Sequence, residues 1–271
     1  MRLPPNLHAT LVLVRHGEST YIAEGRFQGR RDAPLSPLGE RQARLVATRL
    51  AQRDAETPLP IPGGVPSAIW HSPLSRAAET ARAIADAQPA SVALQPAPGL
   101  IEIAQGEWEG QPQAVVRERW AAELAAWRRT PAMHHAPGGE AIDKAAERVT
   151  ATLEDVFVAL RALSGASDDT DILSRSFVPG YSVAGSVGQP HDPWAVLVAH
   201  DGIFRLTLLA LLDLPLERFW SFPFNLCSIT VVAMQNGVAS LRAHNLSEHL
   251  APIAQEARAA AEARGDRPGA L

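Results

Sequence analysis

Cysteine and long apolar segments are scarce in this sequence of 271 residues. The single cysteine, Cys227, excludes a disulfide within the chain and favours a reducing compartment. The opening residues, MRLPPNLHAT, lack the apolar stretch of a signal peptide. No apolar run approaches the roughly 20 residues that a membrane-spanning helix requires. We therefore expect a soluble, cytoplasmic protein that has no membrane partner.

Blocks of like charge are also absent. The chain has 25 Lys and Arg against 29 Asp and Glu, which gives a formal charge of −4. Because nucleic-acid binding needs a basic patch, we expect no nucleic-acid partner. A small anionic substrate stays open, since a local cluster of arginines can bind one inside an acidic protein. Hydrophobic residues make up 46% of the chain, enough for a sizeable core.

Apolar runs typical of buried strands alternate with stretches of helical periodicity. Residues 11–14 form a continuous apolar run, as in a strand covered on both faces. Ser36-Pro37 is typical of a helix start, and Asn236-Gly237 predicts a hairpin with one antiparallel strand. The pattern predicts an α/β fold, a three-layer α/β/α sandwich with a mostly parallel sheet of about six strands. The predicted strands are residues 11–14, 65–70, 91–94, 194–198, 228–234 and 238–244, and the predicted helices are residues 37–50, 75–87, 112–129, 140–163, 203–212 and 252–264.

Two irregular stretches interrupt this alternation without marking a domain boundary. Residues 57–64 are a loop rich in Pro and Gly. Residues 164–193 are rich in Ser, Gly and Asp, and so long an irregular segment is either functional or disordered. We predict a single domain over residues 1–271, with a core at 10–250, an irregular insertion at 164–193 and a helical tail at 251–271.

Ionisable side chains follow several of the predicted strands. Arg15 and His16 come directly after the first strand, and His200 follows the strand at 194–198. Arg76 begins the helix after the second strand, and Glu102 follows the third. In open α/β sheets, ligands bind beyond the carboxyl ends of the strands. Because guanidinium groups match phosphate oxygens and a helix N-terminus adds N–H donors, these residues predict a phosphate-binding crevice.

The same residue types can also carry out chemistry on a bound phosphate. A neutral imidazole is a competent nucleophile toward phosphorus if its other ring nitrogen is held as a donor. A nearby carboxyl group can protonate the leaving alkoxide if its pKa is raised. The crevice is therefore a candidate catalytic site as well as a binding site.

Five ordered segments resemble the histidine phosphatase superfamily, also called the phosphoglycerate-mutase-like family. The first is LVLVRHGEST, continued by GRFQG and PLSPLGERQA. The others are HSPLSRAAETA, LIEIAQGEWEG, PGGEAIDKAAERV and VLVAHDGIFR, and the later NLSEHL also matches phosphatase members. The resemblance covers roughly residues 10–250 and implies the phosphoglycerate-mutase-like fold.

The resemblance implies a role for each matching residue. His16 would be the nucleophile that forms a phosphohistidine, and Arg15 and Arg76 would clamp the phosphoryl oxygens. His200 would contact the same oxygens, and Glu102 would donate a proton to the leaving group and then activate water. No metal and no cofactor are implied, because arginine and histidine can neutralise the developing charge.

Four further positions are predicted to contact substrate: Ser19, Arg26, Gln28 and Asp201. Asp201 stands where the family usually has Gly, and its carboxylate would either repel phosphate or act as the N-cap of the following helix. We favour the cap, because Asp is a preferred N-cap residue.

Two other positions depart from the family pattern. Ile22 replaces an Asn whose amide lies near the phosphate, so one hydrogen-bond donor is lost. Arg30 replaces an aromatic residue that often follows the GRxQG segment, and we expect it to add positive charge near the entrance. The adjacent pair His134-His135 is a poor metal site because no third ligand accompanies it.

The distance between the acidic motif and the next one bears on the reaction type. The segment from Gly106 to Gly139 is short, whereas the mutases of the family carry a longer insertion there that encloses a bisphosphate. We therefore predict a metal-independent phosphomonoesterase, a histidine acid-type phosphatase, acting on a small phosphorylated metabolite. The alternatives are a phosphoglycerate mutase and, in another class, a non-catalytic phosphate-binding or interaction protein. A homodimer stays open.

Overall fold

A six-stranded mixed sheet forms the centre of the molecule. The computed structural model of the protein describes residues 1–52, 56–163 and 192–263. The strands are β1 (Ala9–Arg15), β2 (Ile69–His71), β3 (Leu94–Pro96), β4 (Trp194–Ala199), β5 (Ile229–Gln235) and β6 (Val238–Leu246). Their order in the sheet is β3-β2-β4-β1-β5-β6, and β5 runs antiparallel to both of its neighbours. The predicted sheet with one antiparallel strand is confirmed.

Helices cover both faces of this sheet. They are α1 (Thr20–Ala23), α2 (Pro37–Ala51), α3 (Ser75–Asp86), α4 (Gln113–Arg119), α5 (Ala121–Arg129), α6 (Ile142–Leu163), α7 (Asp201–Leu211) and α8 (Ala251–Ala263). Alternate side chains of a strand point to opposite faces, so Leu11 and Leu13 join one buried cluster while Val12 and Val14 join another. The first cluster includes residues of α6 and α7, and the second includes residues of α2 and α3. The predicted three-layer arrangement is confirmed.

Three predicted elements differ from the structure. The strand predicted at 65–70 begins later in the structure, where β2 starts at Ile69. Pro66, which lies before this start, has no N–H to donate to a sheet. Strand β3 lies later than the predicted 91–94, because it pairs in register with β2, Ile69 opposite Leu94. The single helix predicted at 112–129 is interrupted at Trp120, whose backbone leaves the helical region (φ −124°, ψ 41°).

Most of the predicted insertion lies outside the described residues. Of residues 164–193, only Asp192 and Pro193 lie within the described residues. In the described ranges, no helix is both long enough and apolar enough to cross a membrane. The division of the chain into one domain with an insertion stays a prediction.

The first turn of α2 packs closely on the loop that follows β1. Ser36 Oγ accepts a hydrogen bond from Gly39 N (3.0 Å), so the predicted N-cap is confirmed. A Cβ added to Gly39 would lie 1.9 Å from the carbonyl oxygen of Glu18. Only glycine allows this approach, which holds the backbone just after His16 against the helix.

We therefore expect Gly39→Ala to destabilise the protein by about 1–3 kcal/mol, because helix and loop must separate. Urea unfolding checks this against Arg44→Ala, a change on the exposed face of the same helix that should shift stability by less than about 0.5 kcal/mol. Equal unfolding midpoints for Gly39→Ala and the unmodified protein would contradict the close contact.

Candidate active site

Two imidazoles meet at the carboxyl edge of the sheet. His16 follows β1, and His200 follows the adjacent strand β4. Their ring centroids lie 5.0 Å apart, and the side chains belong to residues only 2% and 0% exposed. The structure thus brings together two histidines that are far apart in the sequence.

The first imidazole is held with one ring nitrogen free. His16 Nδ1 lies 2.6 Å from the carbonyl oxygen of Gly17, which can only accept, so Nδ1 carries the proton. Gly17 N in turn donates to Thr80 Oγ1 (3.2 Å). Burial, followed by the charges of Arg76 and Arg15, lowers the pKa of His16 well below its usual value. The ring is therefore neutral near pH 7, with a lone pair on Nε2.

The second imidazole is oriented by a serine that the sequence analysis did not single out. His200 Nε2 lies 2.7 Å from Ser72 Oγ, and Ser72 Oγ also accepts from Leu74 N (3.4 Å). The Ser72 hydroxyl carries one proton that it can donate to Nε2, and we predict this arrangement, in which the His200 proton lies on Nδ1. Burial, then the charge of Arg76, lowers the pKa of His200, so this ring is neutral too. Among the described residues, the buried Nδ1 has no hydrogen-bond partner.

Two guanidinium groups lie beside the imidazoles. Arg15 Nη1 donates to the carbonyl of Phe224 (2.5 Å), while its buried Nε has no partner in the described parts of the chain. Arg76 is 1% exposed, and it donates to the carbonyls of Gly29 (2.8 Å) and Arg31 (3.2 Å). Burial lowers the pKa of Arg76 to about 10, so it stays cationic at neutral pH. This cluster therefore concentrates positive charge, which suits a phosphate group.

A buried carboxyl group completes the cluster. Glu102 Oε1 accepts from Ile103 N (2.9 Å), and a Cβ on Gly202 would lie 2.8 Å from the same oxygen. Glu102 therefore packs against the first turn of α7, next to His200. Burial raises the pKa of Glu102, and the charge of Asp201 raises it further, against the opposing effects of the Ile103 bond and Arg76. A carboxyl group with a raised pKa stays protonated to higher pH and can then act as a proton donor.

This geometry agrees with the family to which the sequence is matched. The family model of the histidine phosphatase superfamily (branch 1) matches residues 11–162 and 184–247. The chain belongs to the histidine phosphatase superfamily. Its first strand, the histidine after it and the six-stranded sheet are thus features of a known fold.

Individual histidine phosphatases resemble the chain to different extents. Phosphoserine phosphatase 1 of Hydrogenobacter thermophilus is 28% identical over 250 residues, covering 92% of this chain and 98% of the relative. A probable phosphoglycerate mutase of Enterobacter sp. (strain 638) is 37% identical over 147 residues, covering 53% of this chain and 60% of the relative. The structure of mycobacterial glucosyl-3-phosphoglycerate phosphatase with VO3 aligns with a TM-score of 0.69 and 25% identity, covering 88% and 99% of the two chains.

In this histidine phosphatase, Gln28 contacts the Arg76 guanidinium and Ser19 contacts Gln28. With its amide oxygen turned toward Arg76, Gln28 accepts from both Nε and Nη1 at 2.9 Å and donates to Ser19 Oγ at 3.1 Å. Ser19 also accepts from Ile22 N (3.2 Å) as the N-cap of α1. Both side chains therefore support the guanidinium, and their direct contact with substrate stays a prediction.

The structure corrects the interpretation of Asp201. The N-cap of α7 is His200, and Asp201 is already the first helical residue, so the predicted cap is wrong. Asp201 Oδ2 instead accepts from Arg205 Nε one turn later (2.9 Å), and Oδ1 accepts from Phe224 N (3.3 Å). An ion pair four residues along a helix is favourable and competes with capping. Substrate contact by Asp201 stays a prediction.

The two other arginines near the entrance are engaged by the protein itself. Arg26 donates to Glu24 Oε2 (2.7 Å) and to the carbonyl of Gly110 (2.9 Å), and whether it also meets substrate stays a prediction. Arg30 donates to the carbonyl of Glu102 and to Glu140, and whether its charge also acts at the entrance stays a prediction.

The Ser72 contact leads to a test on the two protonation sites of His200. In ¹⁵N-labelled protein, we expect His200 to be protonated on Nδ1 and not on Nε2. Ser72→Ala should remove this preference and weaken vanadate binding about tenfold, the effect of one buried hydrogen bond.

Ser228→Ala is the matched control, since the buried Ser228 hydroxyl has no hydrogen-bond partner among the described residues. Histidine ¹⁵N shifts and vanadate titration check both variants. An unchanged His200 tautomer in Ser72→Ala would refute the role of the serine.

Proposed function

We propose that this chain is a phosphomonoesterase that hydrolyses a small phosphorylated metabolite through a phosphohistidine at His16. The observation that carries the proposal is the bond from His16 Nδ1 to the Gly17 carbonyl (2.6 Å), beside the buried Arg76 and the half-buried Arg15. This bond leaves the neutral His16 Nε2 available to attack phosphorus, next to the guanidinium groups of Arg15 and Arg76. Membership of the histidine phosphatase superfamily supports the same reaction.

In the first step, His16 Nε2 attacks phosphorus and the bond to the leaving oxygen breaks. Arg15, Arg76 and His200 Nδ1–H hold the non-bridging oxygens, whose charge they neutralise. Glu102 gives its proton to the leaving oxygen, so the product departs as a neutral alcohol. His16, now bonded to phosphorus at Nε2, keeps its hydrogen bond through Nδ1.

In the second step, the ionised Glu102 takes a proton from water, and the resulting hydroxide attacks the phosphohistidine. The N–P bond breaks, inorganic phosphate leaves and the lone pair returns to His16 Nε2. Each residue ends in its starting state. The arginines supply the positive charge that this pathway needs, so we predict activity without an added metal or cofactor.

Two other functions compete with this one. In a phosphoglycerate mutase, the phosphoryl group would return to a second hydroxyl of the bound substrate instead of to water. The short segment of residues 106–139, made of α4, α5 and their loops, supports hydrolysis, because it resembles that of the hydrolases. A non-catalytic phosphate-binding protein would explain the loss of an amide at Ile22, yet it would not need a carboxyl group with a raised pKa at Glu102.

Two further proposals concern the location of the protein in the cell and its binding partners. We propose a cytoplasmic location, which the single buried thiol of Cys227 supports. We propose a small phosphorylated substrate as the principal partner, which the positive charge of Arg15 and Arg76 supports. A homodimer stays open.

The intermediate itself can be trapped. Rapid acid and alkaline quenching of the enzyme with a ³²P-labelled phosphomonoester should give a protein-bound label that survives alkali and is lost in acid. His16→Ala should contain no label and lose at least about a thousandfold in kcat, because the nucleophile is gone. His134→Ala, at an exposed loop histidine, should label normally. Label retained in His16→Ala would refute His16 as the nucleophile.

The pH dependence follows from the two shifted groups. The lowered pKa of His16 keeps its imidazole neutral down to acidic pH, and the raised pKa of Glu102 keeps its carboxyl protonated to higher pH. We therefore expect kcat for an alkyl phosphate to fall as pH rises through the Glu102 pKa.

Glu102→Gln should lose that alkaline decline, and its kcat for alkyl phosphates should drop about 100-fold or more. Because p-nitrophenolate needs little protonation, p-nitrophenyl phosphate should be affected much less. Parallel pH profiles for the two substrates check this, and an equal loss for both would contradict the role of Glu102 as proton donor.

A further inference from the structure

Glu102 sits on a segment that has little regular structure of its own. After β3, only a single 3₁₀ turn (Pro98–Leu100) precedes it. The carbonyls of such a segment need partners from elsewhere if they are buried. A guanidinium from α6 supplies them: Arg148 Nη1 donates to the carbonyls of Gly99 and Ile101 (2.6 Å each), and Nη2 donates to that of Glu102 (3.3 Å).

A second guanidinium reaches the same carbonyl from another loop. Arg30 Nε donates to the Glu102 carbonyl (3.0 Å), and Arg30 Nη2 donates to Glu140 Oε1 (2.8 Å). Glu140 also accepts from Arg148 Nε (3.0 Å) and Nη2 (2.8 Å), so its carboxylate joins the two arginines. Burial opposes ionisation of Glu140, but Arg148 and Arg30 outweigh it and lower its pKa. We refer to Arg30, Glu140 and Arg148 as the clamp.

The clamp acts on the peptide unit that orients the acid. The carbonyl of Glu102 and the N–H of Ile103 belong to one planar peptide, so fixing the direction of the C=O also fixes the direction of the N–H. That N–H donates to Glu102 Oε1 (2.9 Å). The guanidinium groups of Arg30 and Arg148 therefore fix the C=O of this peptide, and the Glu102 carboxyl group accepts a hydrogen bond from its N–H.

The loop that carries Arg30 also holds one of the phosphate-binding arginines. The carbonyls on either side of Arg30, those of Gly29 and Arg31, both accept from Arg76. The Glu109 carboxylate accepts from the backbone N–H groups of Arg30 (2.9 Å) and Arg31 (3.1 Å) and so fixes this loop. The same few residues thus set where the acid lies relative to the Arg76 guanidinium.

We propose that Arg30, through the clamp with Glu140 and Arg148, is a positioning residue for the proton donor Glu102. This inference rests on the proposed phosphatase function. Arg30 is also the residue that departs from the aromatic side chain common at this position in the family. The clamp exists in this chain because the side chain here can donate to a carbonyl and a carboxylate at once.

The test separates positioning of the acid from a general loss of structure. We expect Arg30→Met to lower kcat for an alkyl phosphate about 10- to 100-fold, since small misplacements of a reacting group have effects of that size. The loss should be at least about tenfold smaller for p-nitrophenyl phosphate, whose leaving group needs little protonation. Glu140→Gln should give the same substrate-dependent loss.

Arg41→Met is the matched control, because Arg41 makes a two-bond ion pair with Glu256 that is exposed at the surface. It should change neither substrate. Arg30→Lys serves if Arg30→Met does not fold: one ammonium cannot reproduce the fork, so a smaller loss of the same substrate dependence is expected. Equal losses for both substrates, or no loss, in a folded Arg30 variant would overturn the positioning role.

A double variant links the effect to the acid. If Arg30 acts through Glu102, then Arg30→Met combined with Glu102→Gln should be no slower on alkyl phosphates than Glu102→Gln alone. Fully additive losses would overturn the inference. An unmodified protein that turns over no phosphomonoester would instead defeat the proposed function, so the two failures are distinguishable.

Discussion

The hydrogen bond from His16 Nδ1 to the Gly17 carbonyl is the interaction on which the rest of the site depends. It places the one proton of a neutral ring on Nδ1 and so leaves Nε2 free for bonding to phosphorus. The backbone around it is fixed from two sides, by Thr80 on α3 and by the close approach of Gly39 on α2. The sheet and the helices that cover it therefore fix the direction in which the lone pair of His16 Nε2 points.

Burial is the main reason why the titratable groups of the site have shifted pKa values. Burial and the two nearby arginines disfavour a proton on His16, and burial disfavours a negative charge on Glu102. The lowered pKa of His16 and the raised pKa of Glu102 both favour the neutral forms, which nucleophile and acid require. A bound phosphate would compensate the charge of the cationic arginines.

The sequence predicts much of the arrangement of strands and helices, because this arrangement depends on local patterns. Continuous apolar runs mark the buried strands, and the residues after β1 and β4 fall at one edge because the strands are parallel neighbours. The Ser72 bond to His200 and the engagement of Arg30 were not predicted, since both join segments that are distant along the chain. Asp201 was misassigned as a cap because the helix was predicted at 203–212, whereas α7 begins at Asp201, which therefore lies in its first turn and pairs with Arg205.

The central claim is that phosphorus is attacked by one defined ring nitrogen. A crystal structure of the protein with bound vanadate tests it most directly, because vanadate adopts the geometry of a phosphoryl group under attack. We expect vanadium within bonding distance of His16 Nε2, with its oxygens contacted by Arg15, Arg76 and His200 Nδ1. Vanadate bound away from His16, or His16 turned so that Nδ1 faces the anion, would contradict it.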